Sequence, residues 1–172
     1  MSATLITVAG IGSRHSLDDA IGLLLVEALG EVSEETPETV RLELWEDADA
    51  LTLVHRLLES NCPTLIVDCA DMGLSAGAWH CLSVEPITEM KVVPHSRSIS
   101  THGLGLAEAL AIARELGLTE PVHVFAVQPF LLQCESSADS GLSEAMQSCF
   151  PQLLAALRAN IDTLHRRMPQ EV

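Results

Sequence analysis

Basic residues are scarce in this 172-residue sequence: nine Lys and Arg stand against 24 Asp and Glu, for a formal net charge of −15. A chain so acidic repels phosphate backbones and anionic bilayers, which argues against nucleic acid or a membrane as partner and leaves attraction to a basic peptide or a cation. The five cysteines (Cys62, Cys69, Cys81, Cys134 and Cys149) are odd in number and form no C-x-x-C pair. They read as reduced, mostly core thiols of a cytosolic chain, not as a disulfide frame or a zinc site. No apolar run is long enough to span a bilayer, and the N-terminus lacks the charged, apolar and small-residue succession of a signal peptide. A cytoplasmic protein without membrane insertion is therefore expected. Internal repeats, low-complexity tracts and dividing linkers are also missing. With 48% hydrophobic residues, positions 1–172 are expected to form one domain with a substantial core.

What is present is organised around Gly10 to Gly22, Gly-Ile-Gly-Ser-Arg-His-Ser-Leu-Asp-Asp-Ala-Ile-Gly. The apolar run at 4–9 reads as a buried strand, Gly10 and Gly12 as a sharp turn, and 17–29 as a helix apolar almost all round. Such a turn lies at the carboxyl end of the first strand, where open α/β sheets place their ligand sites. It is not a dinucleotide fingerprint: no third glycine completes G-x-G-x-x-G, and the P-loop lysine is missing. Asp18 and Asp19 fall where the helix begins. Capping of that helix is one account of them; a ligand site is the other.

Further along, 39–45 alternates with period two and reads as a half-exposed strand near an edge. Asp47 is placed to cap a helix through Leu51, Val54 and Leu58, which Asn61-Cys-Pro63 ends. Strands are expected at 64–67, 79–84 and 122–127, with helices over 104–116 and from Leu142 to Met168, the last interrupted or restarted by Pro151. Residues 85–100, with the only lysine, Lys91, and residues 130–141 read as irregular functional loops. Strands alternating with helices imply a layered α/β sandwich.

Asp68 stands at the carboxyl end of the third strand, where a buried carboxylate is costly unless paired, hydrogen-bonded or bound to a cation. His102, in Ser100-Thr-His-Gly-Leu-Gly-Leu106, precedes a helix. Asp19, Asp68 and His102 each adjoin a glycine-bearing turn, and in a doubly wound sheet such positions converge on one edge. Two carboxylates and an imidazole suit a borderline divalent transition metal with coordination positions to spare. Turn-forming and capping roles remain the alternative for each.

These residues carry a resemblance. The chain resembles the endopeptidases that mature the large subunit of [NiFe] hydrogenases. Gly10-Ile-Gly-Ser13 and Asp18-Asp-Ala-Ile-Gly22 match the family's opening strand, Gly-x-Gly-Asn turn and acidic pair, with Ser13 in place of the usual Asn. Leu65-Ile-Val-Asp68 through Gly77 matches its second apolar strand, and Asp71-Met-Gly-Leu74 is similar to the branch serving formate-linked hydrogenases. Ser100-Thr-His-Gly-Leu-Gly-Leu106, Val124-Phe-Ala-Val-Gln-Pro129 and Gly141-Leu-Ser143 match the remaining motifs in order.

The resemblance implies a three-layer αβα sandwich with a twisted, mostly parallel central sheet of about five strands. It implies that Asp19, Asp68 and His102 hold the metal positions, that Asp19 and Asp68 are the catalytic carboxylates, and that Gly10, Gly12, Ser13 and Gly103 contact substrate. The activity it implies is removal of the C-terminal extension of a hydrogenase large-subunit precursor after nickel insertion, the nickel being supplied by that precursor. No His-Glu-x-x-His helix or catalytic-cysteine signature is present, and water is the expected nucleophile. Two other functions compete: a non-catalytic, metal-binding, chaperone-like protein of the same fold, and a phosphate or nucleotide binder built on the Gly10–Gly12 turn.

Overall fold

The structure, a computed structural model, describes residues 5–31, 39–84, 105–131 and 141–167. His102, Gly103, Lys91, Cys134 and most of both expected loops lie outside them. Five strands form one sheet: β1 (Ile6–Gly12), β2 (Val40–Glu46), β3 (Thr64–Cys69), β4 (Trp79–Val84) and β5 (Val122–Val127), in the order β2-β1-β3-β5-β4. All neighbours are parallel except β4, which runs antiparallel to β5. The expected mostly parallel, five-stranded α/β fold is therefore the observed one.

Helices cover both faces. On one side α1 (Ile21–Glu31) and α4 (Glu144–Arg167) meet Ile6, Val8, Leu65, Val67, Phe125 and Val127. On the other, α2 (Ala50–Ser60) and α3 (Leu106–Glu115) meet Ala9, Ile11, Ile66, Val124 and Ala126. The parity of these lists is the strand alternation itself: even positions of β1 and odd ones of β3 face one way, their neighbours the other. The central strands β1 and β3 are buried along their whole length, as parallel strands covered on both faces must be. Edge strand β4 is largely exposed and β2 is half-exposed.

Local details differ from the expectations. Strand β1 does not stop at a turn but runs through Gly10 to Gly12, because the glycines serve packing, as described below. The helix expected over 17–29 opens as a separate 3-10 turn, Leu17–Ala20, before α1. Asp49, not Asp47, caps α2: its carboxylate accepts the Thr52 amide at 2.7 Å, and that bond holds its pKa below the usual value. Asp47 instead has φ 49° and donates its amide to the Gly12 carbonyl at 3.0 Å. Pro151 lies inside one continuous helix, α4. Cys62, Cys69, Cys81 and Cys149 are free thiols. Among the described residues no helix is long and apolar enough to cross a membrane.

Candidate functional site

The chain leaves β1 for β2 on one side and returns to β3 on the other, so the strand order reverses between β1 and β3. Open sheets bind their ligands outside the carboxyl ends of the strands at such a point. Here the register shows the crevice opening. The β1–β3 pairing runs only as far as Gly10 opposite Val67. Beyond it, Ile11 and Gly12 pair with β2 alone, while Asp68 and Cys69 pair with β5 alone.

The 3-10 turn bearing Asp18 and Asp19 lies over this split, and three glycines let it lie there. A Cβ on Gly10 would come within 2.5 Å of the Gly22 carbonyl oxygen. A Cβ on Gly22 would come within 2.3 Å of the Val67 carbonyl oxygen and 2.6 Å of that of Ile11. Gly12, at φ +137°, would carry its Cβ 2.0 Å from the Asp19 carbonyl oxygen. Backbone touches backbone, and no other residue type fits. The glycine identities of Gly10 and Gly12 thus follow from helix-on-strand contact alone, and contact with substrate is not needed to explain them.

Asp19 is buried. Its Oδ2 accepts the amide of Ser13, itself buried, at 2.8 Å. The carboxylate reaches back six residues to close the loop after β1 and does not cap its own turn, whose N-cap Ser16 makes no side-chain cap bond. Asp18 does not cap that turn either. Its carboxylate accepts from Phe130, Leu131 and Ser143, far along the chain. Nothing in the sequence spacing signals those partners, so the capping account of the pair gives way to two separate tasks.

Asp68, at the end of β3, is 8% exposed. Burial, and then the nearby charge of Asp19, push its pKa up to about 7, against which the Cys69 amide bond works only weakly. The two carboxylates thus act on each other across the crevice although Asp68 shares its strand parity with Ile66. Two buried like charges are unfavourable without a proton or a cation to offset them. Cys69 is pushed well above the usual thiol range by burial and by Asp68, Asp19, Asp18 and Asp71, which keeps it neutral and unsuited to act as a thiolate nucleophile.

The surrounding polar groups brace the crevice. Arg14 pairs with Glu46 of β2 at 3.1 Å and with both oxygens of Glu27 of α1; those bonds raise Arg14 and lower Glu27 from their ordinary pKa values. Buried Gln128, in the matched Gln-Pro motif, accepts the Met72 and Leu74 amides at 2.7 and 3.2 Å and donates to Asp71 at 3.1 Å, which shapes the loop after β3. Among the described residues no group of three His, Cys, Asp or Glu could hold a metal. The third expected ligand, His102, and Gly103 lie outside those residues.

A family model described as hydrogenase maturation protease matches residues 48–159, a span that takes in Asp68 and the His102 motif. No curated protein sequence matches the chain. Among solved structures, the chain is similar to the hydrogenase maturating endopeptidase HybD from E. coli, at 25% identity and TM-score 0.70 over 93% of both chains. It shares the fold of a [NiFe] hydrogenase maturation protease HycI from Thermococcus kodakarensis, at 20% identity and TM-score 0.65 over 91% of both chains. It likewise shares that of a hydrogenase 2 maturation peptidase from a Thaumarchaeota archaeon, at 19% identity and TM-score 0.62 over 92% of this chain and 98% of that one. With more than half its length matched by the family model and the same architecture throughout, the chain belongs to the hydrogenase maturation protease family.

Proposed function

We propose that this protein is the endopeptidase that removes the C-terminal extension of a [NiFe]-hydrogenase large-subunit precursor, and that it recognises the nickel the precursor carries. The observation behind this reading is the pair of buried carboxylates, Asp19 and Asp68, whose charges oppose each other at the split between β1 and β3. A cation brought by the substrate offsets that repulsion, which gives a loaded precursor a physical advantage over an empty one. His102 supplies the nitrogen ligand, and the Ser13 loop, which Gly10 and Gly12 let close beneath the turn, borders the bound tail with Gly103.

The reaction is hydrolysis. Asp19 or Asp68 takes a proton from water as the water oxygen adds to the scissile carbonyl, and the proton then passes to the departing amine. A buried carboxylate within reach of the scissile bond is suited to both halves of that transfer. The net charge of −15 favours precursor tails rich in Lys and Arg.

The test is incubation with nickel-loaded and nickel-free precursor, followed by intact-mass measurement. Cleavage of the loaded form alone is expected. Equal cleavage of both would remove nickel recognition from the reading. Binding without cleavage would leave the chaperone-like alternative.

A further inference from the structure

Of the adjacent aspartates, Asp18 is the one the proposed chemistry leaves unused, and it has 0% of its surface exposed. Its Oδ2 accepts the Phe130 and Leu131 amides at 2.9 Å each and the Ser143 hydroxyl at 3.1 Å. Its Oδ1 accepts the Ser143 amide at 2.8 Å. Its own amide donates to the Leu131 carbonyl at 3.3 Å. Ser143 in turn accepts the Met146 amide at 3.2 Å, which caps α4. One carboxylate therefore joins the exit of β5 and the start of α4 to the 3-10 turn over the crevice.

Charge-assisted hydrogen bonds on both oxygens leave a buried carboxylate a single orientation. The next residue in the same short turn is Asp19, whose Oδ2 meets the Ser13 amide. On the other side the tie reaches Phe130, whose ring stands 3.0 Å from where a Cβ on Gly77 would lie. Gly77 lines an open groove of about 300 Å³ with Trp79, Cys149, Gln152 and Leu153.

We infer that Asp18 is a positioning residue for the peptidase reaction: it fixes the Asp19 carboxylate in register with the Phe130–Leu131 backbone. Its activity arm rests on the function proposed above; its structural arm does not. Asp18→Asn keeps the shape but turns an NH2 group toward amide donors, so the register loosens while the fold persists. The comparison protein is Leu57→Ala, a cavity variant in the opposite core layer, where Leu57 is 1% exposed.

In Asp18→Asn, kcat on nickel-loaded precursor should fall about tenfold or more with KM little changed, beyond any fall in Leu57→Ala at equal fraction folded. The Ser13 amide should exchange its hydrogen about tenfold faster in Asp18→Asn than in Leu57→Ala, because its acceptor is no longer held. A kcat matching that of Leu57→Ala, a change in KM alone, or unchanged Ser13 exchange would each overturn the inference. If Asp18→Asn does not fold, Ser143→Ala, which removes one of the four bonds, carries the test: faster Ser13 exchange supports the inference and unchanged exchange overturns it. If the wild-type chain leaves the loaded precursor intact, the proposed function fails, and Ser13 exchange alone decides this inference.

Discussion

At the amino ends of β1 and β3, Thr7, Ser60, Cys62 and Thr64 share hydrogen bonds of 3.1 to 3.2 Å among neutral groups. At the carboxyl ends of the same two strands, Asp19 and Asp68 are equally enclosed but repel each other. Both ends bury polar atoms between the same helical layers. The lower end satisfies them within the chain, as stability requires. The upper end holds two carboxylates whose charges disfavour each other, the kind of perturbed pair that clusters at functional sites.

The largest expected effect comes from removing charge at the upper end. Asp19→Asn, Asp68→Asn and His102→Ala should each lower tail removal by about a hundredfold or more with no fall in melting temperature. Asp71→Asn should remain active, since an amide oxygen can still accept the Gly73 amide and Gln128. Intact-mass assays and melting curves on the four variants decide this; full cleavage by Asp19→Asn and Asp68→Asn would return both groups to structural roles.

Next is Gly22→Ala, which forces a methyl to within 2.3 Å of the Val67 carbonyl oxygen. It should cost about 3 kcal/mol in denaturant unfolding and reduce cleavage, because α1 must back away from the split. A variant as stable as wild type would mean that the helix has room to move.

A smaller effect is pH-dependent. The folded chain retains the Asp68 proton up to about pH 7, against 3.8 for an unperturbed aspartate. The unfolded chain therefore loses its proton first as pH rises, and wild-type stability is lost through that window relative to Asp68→Asn. Each tenfold difference in proton affinity between the folded and unfolded chain is worth about 1.4 kcal/mol. With a discount for relaxation around the buried charge, the variant should gain about 2 kcal/mol on wild type between about pH 4 and pH 8. A stability difference that stays constant with pH would show that Asp68 titrates as in an open loop.

The smallest effect belongs to the lower end. Thr7→Val removes one hydroxyl from a cluster that can reclose through the Ser60 and Thr64 bond. It should cost about 1 kcal/mol and leave cleavage unchanged. Loss of cleavage here would dissolve the distinction between the two ends.

Much of the fold is legible in the sequence because it rests on local chemistry. The strands at 79–84 and 122–127, the buried first and third strands and the half-exposed β2 follow from periodicity, and the mostly parallel sheet from alternation of strands with helices. Asp68 is recognisable as a carboxylate at the end of an apolar run. Gly10 and Gly12 read as a turn because the reason for them is α1 lying on β1, a contact that local propensity does not record. Asp47 competes with Asp49 as a cap because both precede the helix by a plausible spacing. The task of Asp18 is hidden for a similar reason: its acceptor oxygens meet donors 112 to 125 residues away.

The meeting of Gly10 with Gly22 also bears on how such a chain can change. Elsewhere in a core, a bulky replacement can be rescued by trimming its neighbour. At this contact each partner already has no side chain, so no compensating substitution exists. A lineage that gains a methyl at either position can recover only by lifting α1 and its preceding turn away from the strands, and Asp19 would travel with them. Drift here is thus confined to the surrounding residues, and any change in the crevice's shape must come from its rim.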